Sequence, residues 1–233
     1  MQLAADFSQR VIVHSKTLDW VQSPMPGVDR RALDRVGGEV ARATSIVRYA
    51  AGSKFSAHIH GGGEEFIVLQ GVFQDEHGDF PVGSYIRNPP QSSHTPGSDL
   101  GCVIFVKLWQ FQPSDRTPLR LQIDSMSKIA SSHFKNVAIT TLFIDEFEEV
   151  SLFYFGANAK VAFKVDKGAE FFVLDGSIVE GNDKLLKHCW LRCPIGSFVS
   201  AQAGAEGAKV WVKTGHLIDV ANQIERVANA SSF

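Results

Sequence analysis

The sequence predicts an all-β protein built from two tandem copies of one barrel-like domain, and three observations carry that prediction. From about residue 40 onward, short runs of β-branched and aromatic residues alternate with Gly, Pro, Asn and Asp, and helical periodicity is almost absent until the end. Two segments then recur at one offset. Glu65-Phe-Ile-Val-Leu-Gln-Gly71 aligns with Glu170-Phe-Phe-Val-Leu-Asp-Gly176, and Tyr85-Ile-Arg87-Asn-Pro89 aligns with Trp190-Leu-Arg192-Cys-Pro194, each 105 residues apart. Finally, a chain of 233 residues, 44% hydrophobic and 21% charged, has the length and apolar content for two domains of ordinary size.

Taken in order, the elements begin with an arm. Trp20 precedes Ser23-Pro-Met-Pro-Gly27, whose two prolines demand extended backbone, as in a lead-in strand laid over a barrel. Strands are expected at residues 43–49, 66–70, 84–87 and 102–109. A linker rich in Pro and polar residues follows at 113–118, which puts one domain at 1–115 and the other at 116–233. The second set of strands falls at residues 150–155, 171–174, 189–192 and 209–213. Near the end Ile218, Val220, Ile224 and Val227 recur at roughly helical spacing, which predicts one amphipathic helix packed on a β surface.

Charge and composition exclude several function classes. A formal net charge of −2, with no Lys/Arg run longer than Arg30-Arg31, provides no basic field for nucleic acid or anionic lipid. The opening residues carry an early acid and no apolar core of signal-peptide length, and no stretch reaches the roughly 18 apolar residues of a membrane span. A cytoplasmic protein with neither nucleic-acid nor membrane partners is therefore expected. Cys102, Cys189 and Cys193 are odd in number and not in a Cys-x-x-Cys spacing, so they are expected as buried apolar side chains rather than as a disulfide framework or a zinc knuckle.

The chemistry concentrates in the first copy. His58 and His60 lie two apart, so on a strand both imidazoles leave the same face. Gly61-Gly-Gly63 turns the chain, Glu64 opens the next apolar run, and His94 follows where a later strand would return. Three imidazoles and a carboxylate suit one divalent first-row ion, zinc foremost, with iron, nickel and manganese as alternatives. Glu64 and Glu65 face opposite ways on a strand, so only one can join the set. The second copy chooses between them: Glu170 answers to Glu65, whereas Ala169 stands for Glu64, Val199 for His94, Ala162 or Phe163 for His58, and Lys164 or Val165 for His60. Glu64 is therefore the expected ligand, Glu65 a structural residue, and the metal a property of the first copy alone. Arg87 and Arg192 read as equivalent structural ion-pair residues, and Asp75-Glu76 as a solvated hairpin tip. His14, His77, His133, His188 and His216 are given no role.

Two patterns in this region resemble the motifs of the cupin superfamily. Gly52, His58, His60, Glu64 and Gly71 fulfil Gly-x5-His-x-His-x3-Glu-x6-Gly. Gly83, Pro89 and His94 fulfil Gly-x5-Pro-x-Gly-x2-His-x3-Asn, with Gln91 and Ser98 at the glycine and asparagine positions. The run from Gly63 to Pro96 is further similar to the ChrR-type cupin, over about residues 15–112. The resemblance implies a tandem double-stranded β-helix, a bicupin of two jelly-roll barrels, with His58, His60, Glu64 and His94 on zinc. It also implies two functions. One is a metal-dependent small-molecule oxygenase-like enzyme, as in the diketone dioxygenases of similar cupins, with aromatic strands lining a pocket for a small-molecule ligand. The other is a zinc-dependent sensor module related to the ChrR anti-sigma factor. The residues before the cupin lack the cysteine of that factor's sigma-binding domain, so a sigma factor is not expected as a direct partner. Edge pairing into a homodimer is compatible with such barrels.

Overall fold

The computed structural model describes residues 1–231, and its strands are paired antiparallel throughout. The chain resolves into two compact units. The first contains Met1–Ala5, Asp19–Ser125 and the C-terminal residues from Ala221 on. The second contains Asp6–Leu18 and Met126–Val220. A single boundary at 115/116 therefore does not describe the units. Val11–His14 pairs with Cys189–Cys193 in the second unit, and Leu119–Gln122, beyond the expected linker, pairs with Ser84–Asn88 in the first.

In the first unit the sheet runs Gln2–Leu3, Val28–Gly37, Ala41–Tyr49, Cys102–Leu108, Glu64–Asp75, Ser84–Asn88, Leu119–Gln122. Glu64–Asp75 is its longest strand. Its first half pairs with Cys102–Leu108 and Ser84–Asn88. Its far end pairs with Gly78–Pro81 and touches Gly97–Ser98. The bend between the halves sits at Gly71, at φ +71°, where any Cβ would collide with the carbonyl oxygen of Gly101. Only glycine satisfies both demands. The core comprises Val28, Val47, Phe66, Val68, Phe73, Ile86, Ile104 and Val106.

The second unit repeats the plan in the order Ile129–Ala130, Val137–Ile144, Glu149–Phe155, Ser197–Thr214, Ala169–Glu180, Cys189–Cys193, Val11–His14. Its long strand Ala169–Glu180 matches Glu64–Asp75 in its length of 12 residues and begins with the same run of five buried positions. Gly176, at φ +70°, meets the Gly207 carbonyl as Gly71 meets that of Gly101. Lys160–Val165 pairs with the start of Ser197–Thr214, Phe163 opposite Val199.

The C-terminal helix Val220–Ala230 belongs, from Ala221 on, to the first unit. Its buried residues are Val220, Gln223 and Val227, at 7%, 1% and 3% exposure; Ile218 instead lies in a 3-10 turn and is exposed. Gln223 Oε1 accepts a hydrogen bond of 2.8 Å from the fully buried Arg42, and Arg42 also pairs with Asp34 at 3.0 Å. A helix face expected to be apolar thus carries a buried polar anchor.

Candidate metal centre

The three histidines converge because two short strands face one another. His58–Ile59 and Ser93–His94 form a two-residue ribbon with His58 directly opposite His94. His60 leaves the end of that ribbon, its N–H donating to the Ser92 carbonyl at 2.9 Å. Ring centroids lie 5.0 Å apart for His58 and His60, 4.9 Å for His58 and His94, and 4.6 Å for His60 and His94. One nitrogen from each ring falls within 4.8 Å of the others, a spacing that could hold a metal ion.

The glycine run shapes the approach. Gly61 and Gly62 lie under the ring of Trp109 and Gly63 under that of Phe111, where a Cβ would overlap the aromatic carbons. Trp109 itself holds φ +61°, a region costly for a bulky residue. Its N–H donates to the Gly63 carbonyl at 3.1 Å. The turn between His60 and Glu64 is therefore clamped from above, and Glu64 enters its strand with the carboxylate turned toward the histidines. Glu64 Oε2 stands 3.3 Å from His60 Nε2 and 3.6 Å from His94 Nε2.

Glu65 faces the other way. Its carboxylate accepts from the Tyr85 hydroxyl at 2.6 Å and stands 3.6 Å from the Arg87 guanidinium. In the second unit Glu170 accepts from Trp190 Nε1 at 3.1 Å and meets His216 Nε2 at 3.0 Å. Arg87 stacks on Phe111 and reaches Asp115, and Arg192 stacks on Phe7 and reaches the Asp6 carbonyl. These glutamates and arginines are scaffold in both copies. His216, given no role by the sequence, is a buried member of that scaffold.

What each histidine does with its outer nitrogen decides what it offers to the centre. Ser92 Oγ donates its only proton to the Pro89 carbonyl at 2.6 Å, so it must accept from His60 Nδ1 at 3.0 Å. His94 Nδ1 faces the Asp75 carboxylate at 3.3 Å, and His58 Nδ1 faces the Ser56 carbonyl at 3.4 Å, both pure acceptors. All three neutral rings therefore carry their proton on Nδ1 and present an Nε2 lone pair inward. His60 Nε2 is buried without a hydrogen-bond partner. A lone pair facing a buried carboxylate needs a cation between them, and a proton or a divalent metal can fill that place.

Electrostatics agrees. Burial would push the Glu64 carboxyl up, but with a cation at the inward nitrogens, here the proton, His60 by hydrogen bond and charge, then His94 by charge and the Asn88 amide at 3.2 Å, hold it down at about 2. Burial, followed by the charge of His94, lowers the His58 imidazole below its ordinary value, which favours the neutral, ligating form. Asp75, expected at a solvated hairpin tip, has a side chain only 1% exposed. The hairpin folds back instead: Glu76 accepts from Thr95 N–H at 2.8 Å, which brings Asp75 against His94. Asp75, Asn88 and Ser92 escaped the sequence reading because that packing joins segments with no local pattern in common.

Beside the histidines opens a cavity of about 390 Å³, walled by Val47, Tyr49, Ile104, Val106, Leu108 and Trp109. Burial, and after it the charge of Glu64, drives the Tyr49 phenol well above its ordinary range, so it stands there as a neutral hydroxyl. The equivalent positions in the second unit carry apolar side chains. The registers place Phe163 for His58 and Val199 for His94, with Val165 and Ala169 completing the set, all packed in one apolar cluster.

Residues 8–112 match the model of the ChrR cupin-like domain. This segment is similar to the ChrR cupin-like domain. The match begins ahead of the arm and ends just past the strand Cys102–Leu108, so it spans the metal-centre residues and stops short of the second copy. Solved structures extend the likeness over the whole chain. A proposed dioxygenase from Nostoc punctiforme superposes with a TM-score of 0.71 at 16% identity, covering 88% of this chain and 82% of that one. YlbA from Escherichia coli gives 0.69 at 14% identity, covering 91% and 93%. The pirin YhhW from Escherichia coli, in complex with nickel(II), gives 0.63 at 13% identity, covering 88% and 98%. At these identities the shared property is the fold, and both copies have the jelly-roll fold of the cupins. Comparison with curated proteins finds no match. Among the described residues no helix is long and apolar enough to cross a membrane.

Proposed function

We propose that the protein is a metal-dependent, oxygenase-like enzyme acting on a small molecule, with one divalent ion held by His58, His60, Glu64 and His94. The observation that carries this reading is the inward convergence of three Nε2 lone pairs and one ionised carboxylate at the wall of an apolar cavity. Four such donors leave positions open on an ion of octahedral preference such as iron, manganese or nickel. The cavity supplies the space in which a substrate can reach such a position. A closed tetrahedral zinc site, as a sensor would have, needs no cavity. The nickel-bound pirin and the proposed dioxygenase of the same fold support the choice.

The ion, when bound, supplies a Lewis acid and a site for oxygen or a chelating substrate. The chain's own residues do the rest. Asp75, Ser92 and Ser56 fix the imidazole tautomers, and Asn88 orients Glu64. The aliphatic walls exclude water, and the Tyr49 hydroxyl offers a neutral donor. The test is elemental analysis of protein purified without added metal, joined to X-ray absorption of the bound ion. About one equivalent is expected, carrying oxygen donors beyond the protein's own, and it should be lost in His60→Ala and His94→Ala. Unchanged metal content in those variants overturns the site. Zinc bound by protein donors alone overturns the enzyme reading in favour of a sensor.

A further inference from the structure

The cavity contains a charge that the metal centre does not use. On the strand Val28–Gly37, Val28 packs into the core and its neighbour Asp29 faces out to Arg48 at 2.6 Å. Arg31 likewise faces out, its guanidinium 4.3 Å above the Trp20 ring. Strand alternation puts Arg30 on the inner face with Val28, opposite Val47, and it lines the same cavity as the histidines. Its guanidinium has no hydrogen-bond or ion-pair partner among the described residues, unlike Arg42, Arg48, Arg87 and Arg192. Only Glu39, exposed at the rim, brings a further carboxylate to this wall, and it does not pair with Arg30.

An inward, half-buried guanidinium with no partner, set in a wall of Val, Ile and Leu, is a preformed half of an ion pair. Such a wall with few placed polar groups is the usual composition of a small-molecule site, and about 390 Å³ lies in the usual range of about 300–1,000 Å³. We propose that Arg30 is a specificity-determining residue that selects substrates carrying one carboxylate on a largely apolar body. The carboxylate docks on the guanidinium, and the body lies along Val47, Ile104 and Val106 toward the histidines. Glu64 within the cavity and Glu39 at its rim repel a group of higher charge, which favours a monoanion over a phosphate. The assignment rests on the cavity's serving the metal centre as its substrate site.

The test uses 4-phenylbutyrate and its neutral amide as probes, with affinities measured by titration calorimetry on the full chain, metal-free and zinc-loaded. The acid is expected to bind about tenfold or more tightly than the amide in both forms. Arg30→Gln should abolish the preference, Arg30→Lys should restore part of it, and Arg31→Gln, outward on the same strand, should leave it intact. Equal binding of acid and amide by the parent protein overturns the proposal without recourse to any variant. So does a preference that survives in Arg30→Gln, or failure of both probes to bind at millimolar concentration. Metal content, measured on the same samples, separates the two readings. An acid preference without metal retention sinks the metal site and spares Arg30; retained metal without the preference does the reverse.

Discussion

Asp75→Ala tests whether the tautomers at the centre are set from outside it. In the folded protein the Asp75 carboxylate faces His94 Nδ1 at 3.3 Å with its side chain 1% exposed, so its removal takes away the charged acceptor of that nitrogen. The proton of a neutral His94 is then free to move to Nε2, the nitrogen that must be bare to ligate. Loss of such an outer partner costs about 10- to 100-fold in metal affinity, or about 1.4–2.7 kcal/mol. The charge and burial of Asp75 place it toward the upper end. Ser92→Ala removes a neutral acceptor from His60 at 3.0 Å and belongs at the lower end. Asp75→Asn, which keeps an acceptor oxygen, should fall between the parent and Asp75→Ala. The assay is competition for zinc against a chromophoric chelator at about pH 7.5. Thermal melts of the metal-free proteins check folding, because Asp75 also accepts from His77 N–H at 2.7 Å. Asp79→Ala is the control: it breaks the exposed bond from Gln74 in the same hairpin and touches no histidine. Asp75→Ala within twofold of the parent, or Asp79→Ala equally damaged, would refute the reasoning.

Metal affinity should also fall as pH drops from about 7 to about 5, because protons compete for the imidazole lone pairs. Glu64, held down at about 2, stays ionised across that range and contributes nothing to the slope. A flat titration against the same chelator would contradict an imidazole-dominated site. Gly71→Ala should destabilise the metal-free protein by more than about 2 kcal/mol in urea unfolding, since the left-handed backbone and the Gly101 carbonyl both oppose a Cβ. Gly52→Ala, at φ +74° with open space around it, should cost only about 1 kcal/mol, and equal losses would show that the Gly101 contact does not matter. Burial pushes the Cys102 thiol up to about 11 and that of Cys193 to about 12. Ellman's reagent at about pH 8 should therefore leave both unreacted until the chain unfolds, and fast labelling of either in the native protein would disprove it.

The sequence displayed what depends on spacing and hid what depends on distant pairing. The expected runs at 43–49, 66–70 and 84–87 lie in strands, and that at 102–109 does so up to Leu108, because period-2 apolar runs between turn residues are local signals. The 105-residue repeat survives as two long strands with their bends at Gly71 and Gly176. Local pattern could not show that Val11–His14 completes the second unit, since its partner Cys189–Cys193 lies far along the chain. Nor could it show that the hairpin at Asp75 folds onto His94. An acidic turn is solvated by default, and the contacts of Glu76 with Thr95 and of Gln74 with Gly97 and Asp99 reverse that default here. The inward aim of Glu64 was legible only because the second copy keeps Glu170 and has Ala169 beside it.

That difference between the copies has a physical reason. A buried carboxylate persists where donors or cations meet it, and an uncompensated one costs several kcal/mol. Glu65 and Glu170 have such partners from the fold itself: Tyr85 and Arg87 in one unit, Trp190 and His216 in the other. Glu64 has His60, His94 and Asn88, and two of these three are proposed ligands. With Val165 and Val199 at the equivalent histidine positions, a glutamate at 169 would face hydrocarbon. Ala169 is the residue such a site tolerates. The imidazoles and the carboxylate therefore form one unit, kept or lost together, while Glu65 and Glu170 remain because both barrels need them to fold.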